Sequence, residues 1–156
     1  MPAPTDNARD FAANLPPQGR LLGLDVGETT IGLALSDALR SIASPLSTIS
    51  RTKFQKDMAL LQSTIEKNKV VGLVIGFPVN MDGSQGPRIQ STRTFTSNLG
   101  KHIALPVCFW DERLSTMAVE RTMLEADLSR QRRVELVDKL AASYMLQGLL
   151  DHLRNL

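Results

Sequence analysis

Four acidic residues occupy positions where charge is either costly or structurally marked: Asp25, the pair Asp111-Glu112, and Asp138. Asp25 lies inside Leu21-Leu22-Gly23-Leu24-Asp25-Val26, where Leu22, Leu24 and Val26 alternate onto one face and Gly23 and Asp25 join Leu21 on the other. A carboxylate within an apolar strand is expensive unless something pairs with it. A bound cation meets that need; the plainer alternative is that Asp25 caps the turn supplied by Gly27 to Thr30. Asp138 falls inside the helical arc formed by Val134, Ala141, Met145, Gly148 and Leu149, with Glu135, Lys139, Ser143 and Gln147 outside it. It needs either a cation or a buried arginine. Asp111-Glu112 ends an apolar strand, and open α/β sheets place their sites beyond the carboxyl ends of parallel strands. The two side chains point to opposite faces, so only one can join Asp25; Glu112, the longer, is the preferred partner unless strand phase reverses the choice. Carboxylates without histidine or cysteine partners favour hard cations, magnesium or manganese. A carboxylate-held pair of such ions activates water and stabilises the leaving oxygen in phosphodiester hydrolysis.

A polyanionic substrate also needs cationic and amide contacts. The loop from Asn80 to Pro87 contains Ser84 and precedes a helix, so its backbone amides could hold a phosphate. Asp82-Gly83 within it is equally a common turn pair. Arg88 and Arg93, on the helix that follows, extend that track; Arg113 either neutralises charge near the acidic residues or pairs with Asp111. Arg130, Arg132 and Arg133 flank the last helix. A solvated surface is the plain reading of each, but phosphate contacts must come from such groups.

The elements that must position these residues follow from periodicity. Residues 1–19 carry four prolines and little pattern, and read as a flexible arm ahead of one domain spanning 20–156. A hairpin over residues 21–36 is followed by a turn at 37–41 and a strand at 42–49, which Pro45 assigns to an edge or a bulge. Residues 53–67 carry Phe54, Met58, Leu61 and Ile65 at helical spacing. The nearly continuous apolar run 70–78 reads as a strand buried on both faces. A helix at 88–101 with Thr92, Phe95 and Leu99 inward, a strand at 106–110, and a helix from Ser115 to Ala126 come next. Residues 128–133 read as a loop and 134–153 as the last helix. The expected architecture is α/β: a five-stranded mixed sheet, three antiparallel strands then two parallel, with helices on both faces.

Composition sets outer bounds. A chain of 156 residues with 42% hydrophobic and 22% charged residues suits a single globular core. Aromatic content of 4% disfavours base-stacking platforms, and the single cysteine, Cys108, excludes an internal disulfide and cysteine-based zinc sites. A net charge of +2 with a pI near 8.9 is compatible with nucleic acid without being diagnostic. The chain shows neither a membrane-length apolar run nor a secretory signal, so the cytoplasm is the expected location.

Four stretches together carry a resemblance. They are Gly23-Leu24-Asp25-Val26-Gly27 with Ile31-Gly32-Leu33-Ala34; Gly76-Phe77-Pro78-Val79-Asn80-Met81-Asp82-Gly83-Ser84; Asp111-Glu112-Arg113-Leu114-Ser115-Thr116; and Val137-Asp138-Lys139-Leu140-Ala141-Ala142. In this order they resemble the YqgF/RuvX family of pre-16S rRNA nucleases, which have a ribonuclease H-like, Holliday-junction-resolvase-type fold. The resemblance runs from about Arg20 to the end of the chain and leaves the proline-rich arm outside. It implies that Asp25, Asp111-Glu112 and Asp138 form an acidic site for magnesium or manganese. The implied activity is metal-dependent endonucleolytic processing of the 5′ end of precursor 16S rRNA, in ribosome biogenesis. Resolution of branched DNA by the same chemistry, or nucleic-acid binding without cleavage, are the alternatives, and either a monomer or a homodimer is compatible with all three. Retention of the acidic positions argues against a non-cleaving binder. An actin-like or sugar-kinase phosphate site shares an early Asp-x-Gly hairpin, but such kinases bind ATP between two domains, for which this chain has no room.

Overall fold

The computed structural model describes residues 3–77, 86–111 and 130–156, with residues 130–139 described as helical backbone only. Five strands form one sheet: β1 (Arg20–Val26), β2 (Thr30–Ser36), β3 (Ala43–Ser50), β4 (Val70–Phe77) and β5 (Val107–Asp111), in the order β3-β2-β1-β4-β5. β1 pairs antiparallel with β2 and β2 with β3, whereas β4 runs parallel to β1 and β5 parallel to β4. The acidic strand β1 is therefore central, and the mixed sheet matches the architecture expected from the sequence.

Alternation along β1 separates two cores. Leu22, Leu24 and Val26 join Ile31, Leu33, Leu73 and Ile75 under helices α2 (Phe54–Asn68) and α3 (Pro87–Leu99), which contribute Met58, Leu61, Phe95 and Leu99. Leu21 turns the other way, with Ala34, Val74 and Cys108, under α1 (Ala8–Ala13) and α4 (Arg130–Arg154). Leu21, Leu22 and Leu24 are wholly excluded from solvent. Each such leucine contributes about 1.5–3 kcal/mol relative to exposure. Cys108 is the inert core residue expected; burial, and then the charge of Asp6, push its thiol pKa up to about 12.

β3 takes the edge, and the register slips between Leu33 and Ala34 so that Pro45 and Ser47 face consecutive residues of β2. Pro45 thus sits on an edge strand and at a bulge, both of which tolerate proline. α2 buries the predicted Met58 and Leu61 and half-buries Phe54 and Ile65, and α3 adds Ile89 and Thr96 to the predicted Thr92, Phe95 and Leu99.

Three departures stand out. Within the stretch 1–19, read from the sequence as a flexible arm, the described residues 3–19 pack against the rest of the described chain. Phe11 is 1% exposed, Thr5 N donates to Val107 O (3.1 Å), and Phe109 N donates to Thr5 O (2.8 Å), which covers the free edge of β5. Gly72 explains the seating: a Cβ there would come within 2.7 Å of Leu15 and 3.1 Å of Phe11, so the segment rests on bare β4 backbone. Arg40 ties it down, its Nε donating to Gly19 O (2.9 Å) and its Nη2 to Pro16 O (2.7 Å). Second, α4 begins at Arg130, inside the stretch read as a loop. Arginine and glutamine are polar but good helix formers, so polarity there was no sign of a break. Third, Ser143, expected outside the apolar arc, is 6% exposed and returns its hydroxyl to Leu140 O (2.8 Å). The expected helix at 115–126 lies outside the described residues.

Candidate functional site at the carboxyl end of β1

Asp25 is half-buried, pairs with Gly32 across the hairpin, and shares its face with Gly23 and Leu21. That face is crossed by α4. A Cβ on Gly23 would lie 3.1 Å from Leu146 Cβ and 3.4 Å from Ala142 O, so glycine lets the helix approach the strand closely one side-chain repeat before Asp25. The buried positions Ala142, Met145 and Leu149 form one stripe of α4. Position 138 stands one turn before Ala142 on that stripe, although its side chain lies outside the described residues. The alternative for Asp25, capping its own turn, is not what the hairpin uses. The turn is closed by Gly27 N donating to Thr30 O (2.8 Å), with Arg51 N donating to Thr29 O (2.8 Å). Among the described residues no group donates a hydrogen bond to the Asp25 carboxylate.

At the end of β5 the strand phase is decided by its neighbours. Val107 and Phe109 pack into the α2/α3 core, Cys108 and Trp110 into the α1/α4 core. Asp111 therefore takes the α2/α3 phase, opposite to Asp25, and it has partners of its own. Glu112 and Arg113 lie outside the described residues, as do Asn80 and Ser84. Among the described residues no group of three or more acidic, histidine or cysteine side chains could hold a metal ion. The donor set that the sequence offers is carboxylate only. An oxygen-only set of this kind, with Asp25 half-buried and undonated, fits a hard divalent cation.

On the α2/α3 side of the same strand end the chemistry changes sign. Arg88, at the start of α3, donates from Nη2 to Val26 O (3.3 Å). Arg51, immediately after β3, donates from Nη1 to Gly27 O (2.6 Å) while its guanidinium lies 5.4 Å from the Phe95 ring centroid. The two arginines border a cleft of about 500 Å³ that Glu28, Thr52, Ser91 and Thr92 also line. Arg93 is exposed and covers the tilted pair Phe77 and Phe109, with its guanidinium 4.9 Å and 6.0 Å from the two ring centroids. Arg88 and Arg93 were legible in the sequence as cations following the loop. Arg51 was not, because a basic residue after an edge strand has no periodicity or motif to mark it.

The model of the RuvX family, described as Holliday junction resolvase, matches residues 19–152. A Rhodobacter capsulatus relative named "Putative pre-16S rRNA nuclease" is 61% identical over 147 residues, covering 94% of this chain and 92% of that protein. A Ruegeria pomeroyi relative of the same name is 52% identical over 151 residues, covering 97% and 98% respectively. Among solved structures, Thermus thermophilus RuvC in complex with a Holliday junction superposes with a TM-score of 0.52 at 12% identity, over 86% of this chain and 96% of that one. At that identity the likeness is one of fold.

Proposed function

Because the chain belongs to the RuvX family, we propose that it is a divalent-metal-dependent endonuclease that trims the precursor of 16S rRNA. The observation that carries this reading is Asp25: a half-buried carboxylate at the end of the central strand, undonated among the described residues, on the face that the Asp138 stripe of α4 crosses. Asp25, Glu112 and Asp138 would hold magnesium or manganese. Glu112 is preferred over Asp111 because Asp111 falls in the opposite phase to Asp25. The ions, when bound, would neutralise charge on the scissile phosphate and activate the attacking water. The protein's own residues do the rest. Asp25, fixed at the middle of a five-stranded sheet, would anchor the cations, and close packing of α4 at Gly23 sets how near the Asp138 helix can come. Arg88 and Arg93, on the opposite side of the strand ends, would bind substrate without taking part in bond breaking. On this reading the protein would act in the cytoplasm. Among the described residues no helix is long and apolar enough to cross a membrane.

The family's description favours a second substrate, the four-way DNA junction, attacked by the same chemistry. One experiment addresses both. Purified protein is incubated with labelled precursor rRNA and with four-way junctions, with and without magnesium or manganese, beside Asp25→Asn. Metal-dependent cleavage of the RNA, absent in Asp25→Asn, is expected. Junction cleavage alone would select the second substrate, and binding without cleavage of either would overturn the nuclease reading.

A further inference from the structure

The cleft on the α2/α3 side of β1 is not part of the acidic site, and its chemistry is that of an anion receptor. Its floor is the β1–β2 turn, whose backbone carbonyls at Val26 and Gly27 anchor the guanidinium groups of Arg88 and Arg51. Both arginines line the same space of about 500 Å³, and a guanidinium offers a planar fork of donors suited to phosphate. Arg51 is held on a second side by the Phe95 ring, so its guanidinium is positioned before any ligand arrives. Among the described residues the only hydrogen bond of its guanidinium is the one to Gly27 O, which leaves further N–H donors for a ligand. α3 opens onto this space through Gly86 with no side-chain cap, and its first turn holds no acidic residue. Ser91 and Thr92 add hydroxyls, and Glu28, exposed at the rim, is the single carboxylate among the described lining residues.

We propose that this cleft is a phosphate subsite, in which Arg51 and Arg88 hold a backbone phosphate of the substrate strand that flanks the scissile one. The proposal rests on the nuclease reading for the identity of the ligand. It adds Arg51 to the binding residues. It also gives the strand a route past the end of β1, since Val26 and Gly27 follow Asp25 directly in the chain. The arginines then bind a phosphate adjacent to the cations rather than the carboxylates that hold them.

The test is binding of a fluorescein-labelled precursor-rRNA fragment and of a labelled four-way junction to the full chain, in chelator so that no cleavage occurs, across a range of salt. Arg51→Gln should weaken binding roughly tenfold at low salt. It should lower the slope of log affinity against log salt by about 0.7–0.9, the value of one phosphate contact. Arg51→Lys, which keeps the charge, should recover the slope. Ser91→Glu sets a carboxylate in the cleft without touching either arginine and should weaken binding similarly, which guards against a folding defect in the Arg51 variants. Wild-type affinity and slope in both Arg51→Gln and Ser91→Glu would overturn the subsite. So would lost affinity at an unchanged slope, since that is the behaviour of a residue that only braces Gly27. Cleavage by the wild type with magnesium or manganese is scored separately, so a failed nuclease reading is distinguishable from a failed subsite.

Discussion

The two sides of the β1 carboxyl end are opposites built from one strand. Toward α4 the chain presents Asp25, opposite Gly32 and next to the helix that abuts Gly23. Toward α2 and α3 it presents the Val26 and Gly27 carbonyls, each taken by an arginine. Strand alternation contributes to this division, because the side chains of Asp25 and Val26 project to opposite faces. Its consequence is electrostatic. Arginines on the carboxylate side would pair with Asp25 and compete with a cation, whereas arginines across the sheet would, on the proposed reading, attract a polyanion and leave the carboxylates to the metal. A nuclease of this type needs both signs of charge within reach of one strand end, and the sheet keeps them apart.

The comparison breaks most sharply at Asp25. Asp25→Asn and Asp138→Asn should each lower metal-dependent cleavage at least a thousandfold, equivalent to about 4 kcal/mol of transition-state stabilisation, measured as single-turnover rates. The metal-free fold should be as stable as the wild type or slightly more so, since gathered carboxylates repel one another. Magnesium or manganese should raise the melting temperature of the wild type more than that of either variant. Full activity in Asp25→Asn, or collapse of Asp138→Asn without metal, would instead favour a buried ion pair.

A smaller effect is expected at Gly23. Valine there must displace Leu146 or the Ala142 backbone, and overpacking of this kind costs about 1–3 kcal/mol. Because the displaced element is the Asp138 helix, cleavage should fall more than affinity for the RNA does. Equal losses in the two would mean that the α4 face and the arginine face are not separable.

The double variant Arg88→Ala with Arg93→Ala tests the other side. Affinity should drop about tenfold and the salt dependence should flatten, with a much smaller change in the rate at saturating substrate. A large fall in the saturated rate at unaltered affinity would move these arginines into the chemistry.

The smallest effect concerns Asp37, which is remote from both faces and serves as a control. Hydrogen bonds from the Ile42 and Ser41 amides lower its pKa below the ordinary 3.8. A depressed carboxylate contributes stability above its unfolded pKa and loses it as the pH falls through the folded value. The small advantage of the wild type over Asp37→Asn in thermal melts should therefore be constant near neutrality and shrink below about pH 3.8, with cleavage the same in both proteins.

Much of this molecule is legible in its sequence. The alternation of Leu22, Leu24 and Val26 against Asp25, the continuous apolar run of β4, and the helical spacing of Met58, Leu61, Phe95 and Leu99 are all recovered as burial. Those signals are local: each is a repeat within one element, imposed by the geometry of a strand or a helix. What only the tertiary structure decided depends on residues distant in sequence. Phe11 and Leu15 carry no pattern of their own and are ordered because bare backbone at Gly72 gives them a seat. The phase of Asp111 is set by which core Phe109 and Trp110 enter, whereas the sequence could prefer Glu112 only for its longer side chain and left strand phase open. Arg51 acquires its place only when β3 and the β1–β2 turn come together and offer Gly27 O as an acceptor. Periodicity reports which face of an element is buried; complementarity between elements is a property of their packing, and no single stretch of sequence contains it.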